Sequence, residues 1–192
     1  ALIDRMALTD SEPLLLLPVR ITRRKNIELA LRVLHCLRKT SPGVKLVVTG
    51  PPGPHSPSNL EYFSTLKRLR DELGLASTAY FLADLTDDYL PDAVIADFYR
   101  LADGIILPSL EEGFGIPLLE AALCHVPVFC SDIPPLRELG GEDVTYFAPE
   151  AEPESVAEAI VRRLLDEAGG RFAARVRRTY DSVSYTHLRA HE

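Results

Sequence analysis

The chain has 192 residues, 46% hydrophobic and 26% charged, which suits one globular domain with an adequate core. Its formal net charge of -7 argues against nucleic acid as the main partner, because binding a phosphate backbone takes a concentrated basic surface. No run approaches the roughly 20 apolar residues of a membrane-spanning helix, and three cysteines without metal-ligand spacing, Cys36, Cys124 and Cys130, read as reduced, buried thiols of a cytoplasmic protein.

The opening ALIDRMALTD has neither an initiating Met nor the basic-then-apolar pattern of a signal peptide. It reads as a cut. Short apolar runs then alternate with longer segments of helical period, the pattern of βαβ units around a parallel sheet. Residues 14–19 are an apolar run fit for a strand buried on both faces. A helix is expected over 26–39, with Ala30, Val33, Leu34 and Leu37 on one face and Ser41-Pro42-Gly43 as its stop.

Strand 44–49 follows, then a Pro/Gly/Ser loop from Gly50, a charged helix near 60–73 ending at Gly74, and strand 78–82. After an irregular acidic stretch, 84–91, come a helix near 93–101 and strand 104–107. Pro117 suits the first turn of a helix reaching about Cys124. Strand 126–130, a short helix near 135–139, strand 144–147 and a helix over 153–166 closing near Gly169-Gly170 complete the pattern. Residues 183–192, VSYTHLRAHE, look like one frame of a sequencing adaptor. The expected domain is thus residues 1–182, truncated at both ends.

Six strands with helices between them predict an α/β fold, a doubly wound parallel sheet of Rossmann-like type, with its ligand crevice at the carboxyl ends of the strands. That geometry selects the loops 20–25, 50–54, 83–86, 108–116 and 131–134.

Within the fourth of these loops lies the sharpest feature, Glu112-Gly113-Phe114-Gly115-Ile116-Pro117-Leu118-Leu119-Glu120. Gly113 and Gly115 let backbone N–H groups approach a ligand, and the helix N-terminus beyond them favours an anion such as a pyrophosphate. Glu120, about one turn into that helix, can accept hydrogen bonds from the two hydroxyls of a ribose, while Glu112 in the loop can face a sugar. Helix-dipole and capping roles explain two acidic residues equally well from spacing alone. Arg20 and Lys25 follow the first strand and could offset the charge of a diphosphate leaving group; Arg23 and Arg24 read as surface residues.

Taken together with Leu46-Val47-Val48-Thr49-Gly50, Tyr99-Arg100-Leu101-Ala102-Asp103 and Leu107-Pro108-Ser109, these segments resemble the C-terminal domain of retaining GT-B glycosyltransferases of family four, over about residues 14–167. The resemblance implies one half of a GT-B enzyme that transfers a sugar from a nucleotide diphosphate sugar, with retention of configuration and without a metal or other cofactor. By that similarity Arg20 and Lys25 would contact the diphosphate. Glu112 and the backbone of Gly113, Phe114, Gly115 and Ile116 would hold sugar and phosphate, Glu120 the ribose, and residues from Leu82 to 85 the base. Ser109 and Leu118 would line the same crevice. The implied partners are the sugar donor and an N-terminal Rossmann-like domain carrying the acceptor site, and the full enzyme could associate peripherally with a membrane.

The chain departs from the family pattern at Gly50-Pro51-Pro52-Gly53-Pro54, where a Gly-rich turn is usual, and at the longer 84–91 connection. His35, His55 and His125 read as structural or solvated, and His187 and His191 fall in the adaptor-like tail. Two other readings share the same residues: a non-catalytic nucleotide-sugar-binding module, and a GT-B-fold nucleotide-sugar epimerase.

Overall fold

The computed structural model describes residues 5–53, 57–86 and 90–166; the adaptor-like tail, His55, Gly169-Gly170 and part of the 84–91 connection lie outside them. The elements run β1 (Leu14–Leu17), α1 (Ile27–Leu37), β2 (Lys45–Val48), α2 (Pro57–Glu72), β3 (Ala79–Phe81), α3 (Asp92–Leu101), β4 (Gly104–Leu107), α4 (Ile116–Leu123), β5 (Val128–Ser131), α5 (Pro134–Gly140), β6 (Thr145–Phe147) and α6 (Pro153–Val161). One sheet of six strands carries them, in the order β3-β2-β1-β4-β5-β6.

Every pairing in that sheet is parallel, with Leu15 opposite Leu46 on one side and Gly104 on the other. The strand order reverses direction between β1 and β4, which opens a crevice above their carboxyl ends. β1 sits at the centre with all four leucines buried, as a strand covered on both faces requires. Ile27, Ala30, Leu31, Leu34 and Leu37 are the buried stripe of α1, which lies against α6. No helix among the described residues is long and apolar enough to cross a membrane.

The element boundaries differ from the sequence expectation where backbone donors run out. β1 stops at Leu17 because Pro18 has no N–H to give the ladder. β5 begins at Val128, two residues late: Val126 N still bonds Ala121 O at 3.0 Å, closing α4, and His125 takes a left-handed φ of 54° to turn the chain. The chain beyond Val161 winds as a wider π turn over Arg162–Asp166. Of the three free thiols only Cys130 is buried, and burial pushes it up to about 12. Cys36 and Cys124 are half-buried, since each sits near a helix end at the surface.

Candidate functional site

A cleft of about 540 Å³ opens at the carboxyl ends of β1, β2 and β3. Val19 and Arg20 after β1, Thr49 to Pro52 after β2, Leu82 and Ala83 after β3, Ile95 of α3 and Glu120 of α4 line it. The first two loops are joined, Ile21 N bonding Pro51 O at 3.0 Å. Their contact is so close that a Cβ on Gly50 would lie 2.3 Å from Val19 O. Gly50 is therefore required by the approach of two backbones, whatever it does toward a ligand.

Beside the cleft the loops after β1 and β4 are bound to each other. The chain turns through Arg23–Lys25, Asn26 takes a left-handed φ of 49° to launch α1, and Leu110 N bonds Arg24 O at 2.8 Å. This brings Lys25 Nζ to 2.5 Å from Glu112 Oε1, with side chains only 10% and 6% exposed. Ser109 Oγ, fully buried, donates to the same oxygen at 2.8 Å. An ammonium so nearly enclosed needs a charged partner. Because both bonds fall on Oε1, Oε2 is the oxygen left to a ligand.

Between the two carboxylates the chain passes Gly113 to Ile116. Gly115 has φ 83°, and a Cβ there would meet Leu136 and Leu139 at 3.1 Å. No side chain caps the start of α4; Pro117 has no N–H and Leu118 N bonds Gly115 O at 2.9 Å, so within this first turn the Ile116 N–H is the one left to face an anion. Phe114 and Ile116 are 62% and 57% exposed. Glu120, one turn on, is exposed to the cleft and accepts a hydrogen bond at 2.6 Å from Tyr99 Oη.

Of the residues singled out by sequence, Arg20, Leu82 and Glu120 share the cleft, and Lys25, Ser109 and Glu112 form the adjoining cluster. Ser109 reaches the site through Glu112 rather than by lining it. Leu118 is buried in the core beneath α4. His35 Nδ1 donates to Leu73 O at 3.1 Å and His125 occupies a turn; neither borders the cleft. Among the residues that sequence reasoning missed is Tyr99, the partner of Glu120. Burial, followed by the neighbouring Glu120 carboxylate, raises its phenol above the ordinary range. The stretch 99–103 belongs to the family-like pattern, but no spacing relates position 99 to position 120.

Residues 3–179 match the family described as glycosyl transferases group 1. A D-inositol 3-phosphate glycosyltransferase of Salinispora tropica is 31% identical over 156 residues, 79% of this chain and 31% of that protein. The serotype-specific mannosyltransferase WbdA of Escherichia coli is 35% identical over 97 residues, 50% of this chain and 11% of that one. The chain thus spans less than a third of the length of either relative. In fold it resembles the C-terminal domain of the Francisella tularensis glycosyl transferase group 1 family protein LpcC, with TM-score 0.69 and 21% identity, covering 92% of this chain and 87% of that one. Anabaena HepE, solved in complex with UDP, gives TM-score 0.73 at 19% identity over 97% and 48% of the two chains.

Proposed function

The chain belongs to the glycosyl transferases group 1 family, and from that premise we propose that it is the donor-binding half of a retaining glycosyltransferase using a nucleotide diphosphate sugar. The observation that carries this reading is a cleft at the strand ends lined by Arg20, Leu82 and the hydroxyl-accepting carboxylate of Glu120, together with a cation–carboxylate cluster of Lys25 and Glu112 in the loops after β1 and β4. These follow the linear order of a nucleotide sugar. The base lies against Val19, Pro52 and Leu82, and the ribose diol donates to Glu120. The diphosphate meets the Ile116 N–H at the start of α4, Arg20 and Lys25, and the sugar donates to Glu112 Oε2.

Lys25 has three N–H donors and gives one to Glu112. The others can follow the charge that develops on the diphosphate as the glycosidic bond breaks, the arrangement that stabilises a leaving group. In this reading side chains and backbone carry that task without a bound metal. The acceptor site belongs to a partner Rossmann-like domain. The names of relatives that transfer mannose or act on D-inositol 3-phosphate, and the UDP bound to a protein of this fold, support the reading.

Calorimetric titration with UDP, GDP and ADP tests it. One nucleotide is expected to bind, with Glu120→Ala and Arg20→Ala each weakening it by about 1 to 3 kcal/mol through lost charge-assisted hydrogen bonds. Absence of binding at millimolar nucleotide by the folded chain, or unchanged affinity in both variants, would overturn the assignment.

A further inference from the structure

We infer that Tyr99 is a positioning residue that aims Glu120 at the ribose and thereby makes the site selective for ribonucleotides over deoxynucleotides. The inference rests on the proposed donor site and extends it to a residue outside the ligand's reach.

Tyr99 comes from α3 and Glu120 from α4, helices flanking successive strands. The Tyr99 ring is 2% exposed, locked among core side chains, whereas Glu120 is an exposed glutamate on a helix surface. A glutamate in that setting has three rotatable bonds and would sample many orientations. Tyr99 Oη donates to Glu120 Oε2 at 2.6 Å, at the short end for an O–H donor and typical of bonding to a carboxylate. The bond ties one carboxylate oxygen to a rigid ring and narrows the orientations the group samples, while the residue still borders the cleft. The partner is a phenol rather than a cation, so the carboxylate keeps its full charge for the ligand. A ribose presents two adjacent hydroxyls, and a carboxylate already held in place accepts both with less loss of side-chain freedom. The buried ring also keeps its proton under ordinary conditions, so its O–H stays available to donate to Glu120.

The test uses the 192-residue chain, wild type and Tyr99→Phe, titrated with UDP, GDP and ADP to find the nucleotide that binds, and then with its 2′,3′-dideoxy diphosphate. Phenylalanine keeps the ring and removes the donor; circular dichroism melting verifies folding, and Glu120→Gln serves as the second variant. Wild type is expected to prefer the ribonucleotide, and Tyr99→Phe to lose about threefold to tenfold in affinity for it, the worth of one hydrogen bond, with the dideoxy affinity unchanged. A loss shared equally by both nucleotides would mean that Tyr99 is merely structural and would overturn the inference. An undiminished ribose preference in Tyr99→Phe would overturn it while leaving the donor site standing. Wild type that ignores the ribose hydroxyls, or binds no nucleotide, would overturn the inference and the ribose assignment beneath it.

Discussion

Glu112 and Glu120 belong to one short segment, yet the fold gives them opposite surroundings. Glu112 is enclosed, bonded to an ammonium and to a buried hydroxyl that both approach Oε1. Glu120 is open to the cleft and is held by a single phenol. Both are carboxylates beside the same helix start, so residue type does not separate their tasks; their partners do. An enclosed ion pair resists reorganisation, which suits a group near developing charge. An exposed carboxylate on one neutral tether remains free to accept from a ligand.

Breaking the enclosed pair should have the largest effect. Lys25→Met leaves Glu112 as a nearly buried charge without its cation, and urea denaturation should show a stability loss of about 3 kcal/mol. Lys25→Met combined with Glu112→Leu should recover most of it, since the unpaired charge is gone. A loss below about 1 kcal/mol for Lys25→Met would mean that water reaches Glu112 as freely as Glu120.

Gly115 sets the turn between the two carboxylates, and Gly115→Ala would force a side chain into a left-handed backbone and against Leu136 and Leu139. A cost of about 1 to 2 kcal/mol is expected, with nucleotide affinity falling as the start of α4 shifts. Stability equal to wild type would show that the turn relaxes without strain.

Removing the hydroxyls compares the two sites most directly. Ser109→Ala should cost about 1 kcal/mol, because Glu112 lies in a site where water cannot replace the lost donor. Tyr99→Phe should cost less, because Glu120 is exposed and water takes the place of the phenol. A reversed order in chemical denaturation would contradict the burial difference between the two carboxylates.

The smallest effect is the share of the alkaline pH dependence that Tyr99 adds on the Glu120 side. Above about pH 10, the ordinary phenol pKa, the unfolded chain releases phenol protons that burial and the bond to Glu120 hold in the folded state. The folded state then binds more protons than the unfolded one, so stability falls as pH rises from that point. Tyr99→Phe should make this alkaline decline shallower. Identical slopes for wild type and variant would show that the Tyr99 phenol titrates freely.

The fold was legible because it is written in local patterns. The leucines of residues 14–17 suit a strand covered on both faces, and α1 announced itself by its apolar stripe. The Glu112 to Glu120 segment was visible for the same reason, being contiguous and glycine-marked. The roles within it were less so. Ser109 was expected at the crevice wall and instead stands behind Glu112, and Leu118 faces the core because it lies on the side of α4 opposite the cleft. Chain boundaries such as the late start of β5 turned on a backbone donor at Val126 and on the conformation of His125, neither of which is a property of composition.

By itself, the sequence determined the alternation of strands and helices, the parallel doubly wound class and the loops after β1, β2 and β3 that line the cleft, because hydrophobic period and turn residues act over a few neighbouring positions. Only the tertiary structure decided which groups meet across distance: Lys25 with Glu112, Tyr99 with Glu120, and the backbone of Gly50 with Val19. Such pairs join elements that are distant in the chain, and their geometry depends on how the whole sheet and its helices pack.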